Sequence, residues 1–251
     1  MKEKIIIIGD SFCADRKSTN SWITYLQNYF YNYDICGAGH PGTAWWTHNK
    51  RYNATLDDLN GHLTENDILI WVHSGALRLP NDHAVAITTA VTYFDINDPQ
   101  YDEINKENDQ HRQMFNVAKE FYLSDLFSTE YYEWAELAFW KELQLKTAHY
   151  KKVIHLFGFP DTNFKSNRNV LMANNSILVT PTLKDLSSAD KPSFIGGKDD
   201  RINHFNAHNN LELAKFIIKL IDETVTEQEV TIDCSTWAFN DPSKIVKTIK
   251  L

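Results

Sequence analysis

The chain has 251 residues, of which 43% are hydrophobic and 13% aromatic, enough for one sizeable packed domain or two small ones. Its formal net charge of -8 at pH 7 argues against nucleic acid or an anionic membrane as the main partner, since both attract basic surfaces. No stretch approaches the roughly 20 apolar residues of a membrane span, and the apolar run after Lys4 is too short for a signal peptide. The expected location is therefore the cytoplasm.

The three cysteines indicate neither a metal site nor a disulfide framework. Cys13, Cys36 and Cys234 match no metal-binding spacing, and their number is odd. We therefore expect a reducing compartment and no metal bound through cysteine.

The first predicted element is a run of four isoleucines at residues 5–8. The run is β-branched and lacks polar alternation, as a central strand covered on both faces requires. Gly9 ends it, Asp10 and Ser11 are good N-cap residues, and a helix is predicted near residues 18–31. Ser11 then lies at the carboxyl end of a strand, where open α/β sheets bind their ligands. Helix capping alone is the simpler interpretation of the Asp-Ser pair.

Strand-like and helical segments alternate along the chain, which is typical of a parallel sheet with helices on both faces. Further strands are predicted near residues 33–36, 68–73, 153–158 and 177–180, and the clearest later helix near residues 205–224. We expect one α/β domain over residues 1–224, with a helical insertion at about 80–152. A C-terminal extension, residues 225–251, follows it.

The insertion and the extension each allow two interpretations. The insertion has a polar stretch and then an aromatic-rich helical segment, which predicts either a lid over a site or, preferably, extra helices packed on the domain. In the extension, residues 230–234 and 244–251 resemble short strands around a turn at Asn240. They predict an accessory hairpin or an oligomer contact, and the oligomeric state stays open.

Three later segments bring polar or glycine residues to strand ends. A glycine-rich run at residues 36–43 follows the second strand, so its backbone can approach a ligand closely, although it lacks the ending of a phosphate-binding P-loop. The third strand ends in His73 and Ser74, with Arg78 just beyond. Such ends are where sites are built, but a hydrogen-bonded structural histidine is the simpler interpretation of His73.

The third segment, residues 199–206, precedes the last predicted helix. His204 in this loop is available as a general base, and the aspartates upstream are candidates to orient it. His208 is a rival, but it falls within the first helical turn.

Taken in chain order, these segments resemble the SGNH, or GDSL-type, hydrolase superfamily, from residue 5 to about residue 221. Gly9, Asp10 and Ser11 match the family's Gly-Asp-Ser block, Gly42 falls at its oxyanion glycine, and His204 falls at its catalytic histidine. The resemblance implies a three-layer α/β/α sandwich with a central parallel sheet, of the flavodoxin-like SGNH hydrolase fold.

The chain departs from the family pattern at two positions. Ser74 stands where the family has an asparagine, and Arg201 stands three residues before the histidine, where the family has an aspartate. Asp200, one residue earlier, is the expected substitute, with Asp199 or a backbone carbonyl as alternatives.

The activity implied by the resemblance is ester hydrolysis through an acyl-enzyme. Ser11 would be the nucleophile, His204 the base and Asp200 its partner. Backbone N–H groups of Ser11 and Gly42, with the Ser74 hydroxyl, would form the oxyanion hole. This chemistry needs no metal or organic cofactor.

Candidate substrate contacts are Asp10, His73, Trp45 and Arg78. Trp45 and its neighbour Trp46 suit sugar stacking, acyl-chain contact or core packing. An O-acetylated carbohydrate is the first expectation for the substrate and a lipid ester the second.

Two other function classes remain. One is a binding or scaffolding protein that keeps the fold without the chemistry, consistent with the two departures. The other is a flavodoxin-like cofactor binder, which is disfavoured because the loop after the first strand lacks a phosphate-gripping run of Ser, Thr and Gly.

Overall fold

The fold is taken from a computed structural model. It describes residues 2–14, 17–37, 39–41, 43–59, 62–75, 78, 117, 120, 121, 123, 124, 128–159, 168–195 and 198–240.

A six-stranded parallel sheet forms the centre of the molecule. Its strands are β1 (Lys4–Ile8), β2 (Asp34–Cys36), β3 (Ile68–His73), β4 (Lys152–Phe157), β5 (Ser176–Thr180) and β8 (Glu229–Thr231). They lie in the order β2-β1-β3-β4-β5-β8. The five predicted strands are confirmed to within one residue at each end. Runs of buried apolar residues mark four of them clearly, whereas β2 is short and only partly buried.

Helices cover both faces of this sheet, which confirms the α/β class. They are α1 (Trp22–Tyr29), α2 (Trp45–Asp58), α3 (Thr129–Thr147), α4 (Leu183–Ala189) and α5 (Ala207–Asp222). A short antiparallel pair, β6 (Phe194–Ile195) and β7 (Lys198–Asp199), lies between α4 and α5. The helices α1 and α5 begin later than predicted because Ser21 and Asn206 cap them with their side chains.

The isoleucines of β1 supply the core on both sides. All four are fully buried. Ile5 and Ile7 pack with residues of α1, α4 and α5, whereas Ile6 and Ile8 pack with residues of α2 and α3. Alternate side chains of a strand point to opposite faces, so an unbroken apolar run is what this central position demands.

The described part of the predicted insertion is helix α3. Phe139 and Trp140 are buried and pack against the sheet, which confirms the packed interpretation for this segment. Tyr131 and Trp134, one to three turns earlier, are exposed. The polar stretch of the insertion lies outside the described residues.

The C-terminal extension begins with a strand of the main sheet. Its first strand, β8, pairs in parallel with β5 and so becomes the edge of the main sheet. The chain then passes beside α5, where the carbonyl of Ala238 accepts hydrogen bonds from Asn206 at 3.1 Å and Asn209 at 2.8 Å. The expected second arm, residues 244–251, lies outside the described residues. Among the described helices, none combines the length and apolar character that crossing a membrane would need.

The chain reverses its direction of travel across the sheet at β1, with β2 on one side and β3 on the other. The point at which the strand order reverses is where open α/β sheets bind ligands. The loop after β2 presses closely on the turn after β1: the N–H of His40 donates to the carbonyl of Gly9 at 3.0 Å, and that of Gly39 donates to Cys13 at 3.1 Å. A Cβ on Gly39 would lie 2.2 Å from the carbonyl oxygen of Asp10.

We expect Gly39→Ala to lower the free energy of unfolding by about 3 kcal/mol, because the backbone has no room for a methyl group at this contact. Gly75→Ala is the matched control, since the nearest atom to its added Cβ lies 3.9 Å away. Its effect should stay within about 1 kcal/mol. Urea denaturation of both variants measures the difference, and equal stability of the two would contradict the tight contact at Gly39.

Candidate active site

Ser11 begins a short 3-10 turn directly after β1. The side chain of Asp10 caps this turn by accepting a hydrogen bond from the N–H of Phe12 at 3.0 Å. Phe12 and Cys13 are buried beneath it, whereas Ser11 is partly exposed. The sequence Gly-Asp-Ser therefore folds into a rigid turn that presents the serine hydroxyl at the carboxyl edge of the sheet.

His204 lies on a tight turn just before α5. Ile202 and Phe205 pair across this turn, and the two residues between them are left-handed, with φ 51° for Asn203 and 65° for His204. Residues other than glycine rarely adopt this backbone conformation, and such strain persists only where the surrounding structure imposes it. Here the amide of Asn203 is buried and donates to the hydroxyl of Ser21 at 2.9 Å.

A buried asparagine joins the two turns. Asn210, in α5, accepts a hydrogen bond from the N–H of Trp22 at 3.1 Å and donates to the carbonyls of Ile202 and Phe205 at 2.9 and 3.0 Å. The indole of Trp22 in turn donates to the carbonyl of Phe12 at 2.7 Å. The start of α1 thus holds both the serine turn and the histidine turn.

These constraints bring Ser11 and His204 into contact. The hydroxyl oxygen of Ser11 lies 2.7 Å from Nε2 of His204. Nδ1 of the same ring faces a carboxylate oxygen of Asp199 at 3.4 Å. A proton on Nδ1 satisfies this carboxylate and leaves Nε2 to accept from the serine, which is the arrangement a nucleophilic serine requires.

The carboxylate beside His204 corrects the expectation for Asp200. The side chain of Asp200 accepts hydrogen bonds from the backbone N–H and the hydroxyl of Ser193 instead. Successive side chains of an extended segment point to opposite sides, so only one of two neighbouring aspartates at the end of β7 can face the histidine. His208, the other candidate base, lies in α5 and binds the carbonyl of Thr236 at 2.7 Å.

Arg201 holds the carboxylate of Asp199 in place. Its Nε and one terminal nitrogen donate to the two oxygens at 2.9 and 2.7 Å, and its other terminal nitrogen donates to the carbonyl of Ser187 at 2.7 Å. Burial opposes ionisation, but the hydrogen bonds from Arg201 lower the pKa of Asp199 to about 2. The residue at the family's aspartate position therefore orients another aspartate.

His204 is held in its neutral form. Burial lowers its pKa most, and the charges of Arg201 and Lys184 lower it further, against the raising effect of Asp199. At pH 7 the ring is free to accept a proton from the serine.

Of the three expected oxyanion donors, Ser11 and Ser74 lie among the described residues. Gly42 lies outside the described residues. The hydroxyl of Ser74 is buried and donates to the carbonyl of Thr43 at 2.7 Å. A hydroxyl has one hydrogen to give, so in this arrangement Ser74 has none left for an oxyanion.

Arg78 and Asp10 lie beneath the site. Arg78 donates to the same Thr43 carbonyl at 2.9 Å, lies 3.8 Å from the carboxylate of Asp10 and stacks on the ring of Phe159. Asp10 is fully buried, and burial raises its pKa to about 6 despite the nearby Arg78 charge. Asp10 is buried and Arg78 largely so. The two side chains therefore link the loops of Ser11 and Thr43, instead of lying open to a substrate as expected.

His73 is buried, which corrects its expected role as a substrate contact, whereas Trp45 is half-buried and its expected role stays a prediction. Nε2 of His73 lies 2.9 Å from Nδ1 of His155, and His73 is 2% exposed. Trp45 opens helix α2 and stacks on Phe139, with ring centroids 5.2 Å apart. Both side chains serve the packing between the sheet and the helices α2 and α3.

A third buried histidine lies beside this pair. The hydroxyl of Thr43 donates to the carbonyl of His40 at 2.8 Å, so Nε2 of His48, 2.9 Å away, must be the donor to that oxygen. Burial lowers the pKa of His48 and of His155 to about 3, and burial and the neighbouring histidine rings hold the pKa of His73 well below its usual range. All three rings are therefore neutral in the folded protein.

A cavity of about 370 Å³ opens beside His204. Phe12 and Phe159 form part of its wall, together with Lys184 and Lys191 from α4 and the segment that follows it. The two lysines did not emerge from the sequence, because α4 is a seven-residue helix whose pattern is too short to recognise. Among the described residues, no three His, Cys, Asp or Glu side chains gather in a group that could hold a metal ion.

No family model matches the chain, and neither the curated proteins nor the solved structures yield a match. Inference about function therefore starts from the residues and their geometry.

The buried histidines should make the protein less stable in acid. Unfolding releases rings that take up protons near pH 6.5, whereas the folded rings of His48 and His155 do so near pH 3, so stability falls as the pH drops through this window. Each buried histidine should cost on the order of 2 kcal/mol at pH 5. Asp10 acts in the opposite sense, because its folded pKa of about 6 lies above the ordinary 3.8.

With three histidines against one aspartate, we expect the free energy of unfolding in urea to be lower at pH 5 than at pH 7 by at least about 2 kcal/mol. His48→Gln should make this pH dependence shallower, because it removes one of the rings that take up a proton on unfolding. Equal stability of the wild-type protein at the two pH values would contradict the neutral, buried assignment.

Proposed function

We propose that this protein is a serine ester hydrolase of the SGNH type, with Ser11 as nucleophile and His204 as general base. The observation that carries the proposal is the 2.7 Å contact between the Ser11 hydroxyl and Nε2 of His204, with Asp199 on the opposite ring nitrogen. Groups from two separate segments, Ser11 after β1 and the loop that carries Asp199 and His204, meet at the carboxyl edge of the sheet, where open α/β sheets bind ligands.

The fold supports the family assignment. The strand order β2-β1-β3-β4-β5 is that of flavodoxin-like sheets, and the serine follows β1 at the reversal point of that order. The Gly-Asp-Ser turn, the glycine-rich loop after β2 and the histidine before the last helix occur in the sequence order of the SGNH superfamily.

The reaction proceeds through an acyl-enzyme. Oγ of Ser11 attacks the ester carbonyl while its proton passes to Nε2 of His204, and Asp199 stabilises the resulting imidazolium. The tetrahedral intermediate collapses, the C–O bond to the alcohol breaks, and His204 returns the proton to the leaving oxygen. Water, deprotonated by His204, then attacks the acyl group. The bond between the acyl carbon and Oγ of Ser11 breaks as His204 returns the proton to Oγ, and the acid is released.

The oxyanion hole has fewer donors than the family pattern provides. The N–H groups of Ser11 and Gly42 remain candidates, whereas the hydroxyl of Ser74 already binds Thr43. Loss of one donor raises the barrier by about 3 kcal/mol in other hydrolases. We therefore expect slow turnover of generic esters and faster turnover of a tightly bound substrate.

The same observation favours one alternative function. A chain that keeps the fold but lacks an oxyanion donor could bind an ester-bearing ligand, such as an O-acetylated carbohydrate or a lipid, without cleaving it. Loss of ester hydrolysis in the serine and histidine variants would exclude this alternative.

We expect a fluorophosphonate probe to label the wild-type protein on Ser11 and to fail with Ser11→Ala. His204→Ala should label more slowly by a factor of about 10² or more, because the serine loses its base. Mass spectrometry of the labelled peptide checks the site, and hydrolysis of p-nitrophenyl acetate should fall in parallel. Equal labelling of wild type and Ser11→Ala, or labelling of neither, would sink the proposal.

The two neighbouring aspartates provide a matched pair of variants. Asp199→Asn should lower kcat by about 10²- to 10⁴-fold, because the imidazolium loses its counter-charge and the ring its preferred tautomer. Asp200→Asn, which disturbs only the contact with Ser193, should stay within about threefold of the wild type, as expected for a surface change away from the reacting groups. A larger loss in Asp200→Asn than in Asp199→Asn would reverse the assignment made from the geometry.

A further inference from the structure

The cavity beside His204 combines an apolar wall with positive charge. Phe12, Phe159 and Pro192 contribute apolar surface, and Lys184, Lys191 and Arg201 contribute the cations. Among the described residues that line it, Asp199 is the one with an acidic side chain. A protein of net charge -8 therefore carries a locally basic pocket next to its candidate nucleophile.

The charges of the lining residues do not cancel. Asp199 is bound to Arg201 through two hydrogen bonds, so these two side chains neutralise each other. Lys184 and Lys191 are both exposed, and neither forms an ion pair within the described residues. Two positive charges are thus left facing the cavity.

Both lysines are attached to fixed backbone. The N–H of Lys184, in the first turn of α4, donates to the carbonyl of Gly158 at 2.9 Å. The carbonyl of Lys191 accepts a hydrogen bond from the side chain of Asn240 at 3.1 Å. Their side chains can adjust to a ligand while their attachment points stay beside the cavity.

The nearby carboxylates are engaged elsewhere. Asp185 accepts a hydrogen bond from the hydroxyl of Thr182 at 2.6 Å. Asp190 is buried and accepts hydrogen bonds from Asn206 and Asn209. Neither carboxylate lines the cavity, so neither is placed to satisfy the lysines in the absence of a ligand.

We propose that this cavity binds an anionic group of the ester substrate, such as a carboxylate, sulfate or phosphate, through Lys184 and Lys191. The inference rests on the proposed hydrolase function, because it places the scissile carbonyl at Ser11 and the anionic group beyond His204. The ring of Phe159 packs against the apolar part of the substrate between these two points. The substrate is therefore an amphipathic acid ester, rather than a neutral acetyl sugar or a neutral lipid.

The ionic and apolar contacts with the substrate also provide the tight binding that compensates for an oxyanion hole with fewer donors. Interactions away from the reacting carbonyl fix its position relative to the serine, and such positioning contributes to the rate of the chemical step.

The anionic subsite is tested by comparing the hydrolysis of two esters that differ in one group. p-Nitrophenyl butyrate ends in a methyl group, and mono-p-nitrophenyl succinate carries a carboxylate at the same position. After subtraction of the enzyme-free rates, the wild type should have the higher kcat/KM for the succinate ester. Lys184→Ala/Lys191→Ala should lower the succinate-to-butyrate ratio by roughly three- to thirtyfold, as expected for two partly exposed charge pairs.

The matched control is Lys2→Ala/Lys151→Ala. It removes the same charge from exposed lysines that precede β1 and β4, at the opposite ends of the strands. Its ratio should equal that of the wild type. A wild-type ratio near one, or an equal loss for both esters in the cavity variant, would overturn the proposal.

A binding measurement separates this inference from the proposed function. Monomethyl succinate and methyl butyrate are titrated against Ser11→Ala protein, with and without the two cavity substitutions, and followed by NMR. Binding of the succinate ester alone, lost with the lysines, supports the anionic subsite even if the wild type cleaves neither p-nitrophenyl ester, in which case the hydrolase function fails. Absent binding, or binding that survives the lysine substitutions, overturns the subsite whatever the hydrolysis shows.

Discussion

The hydrogen bond between Ser11 and His204 joins positions 193 residues apart in the sequence, and the remaining structure makes this contact possible. The parallel sheet brings the ends of its strands to one edge, and the tie through Asn210 sets the distance between the two turns. Asn210 is fully buried and its amide makes contacts on both sides, so its replacement would leave several backbone groups without partners. The histidine turn is held in its left-handed form by the same surroundings, including the contact between Asn203 and Ser21.

The sequence predicted the parts of the fold that local pattern determines. Unbroken β-branched runs identified the strands, and the Gly-Asp-Ser turn and His204 emerged because both flank such strong elements. Helix α2 was missed because its residues between Trp45 and Asp58 are largely polar and show little periodicity. The sequence could not show which aspartate is the partner of His204. Whether Asp199 or Asp200 faces the ring depends on how the β6–β7 pair is oriented relative to His204, which is a tertiary property.

Under the proposed SGNH assignment, Arg201 shows how a site can keep its residue types while its spacing changes. The family pattern has an acidic residue three positions before the histidine. Here that position is basic, and Arg201 binds a carboxylate two residues further back, which lies 3.4 Å from the ring. Asp199 stays ionised beside the ring, and it shares its hydrogen bonds with the guanidinium. A motif search based on fixed spacing would overlook this arrangement, whereas a search based on distances would find it.

The extension after α5 has a consequence for the timing of synthesis. Ser11 is synthesised well before the turn that carries His204, and that turn is supported by contacts from Trp237, which packs on Phe205, and from Ala238, which binds the start of α5. The edge strand β8, which pairs with β5, also follows α5 in the sequence. The contact between Ser11 and His204 therefore gains its full support only after translation has passed about residue 240, because the supporting segment is made after both turns.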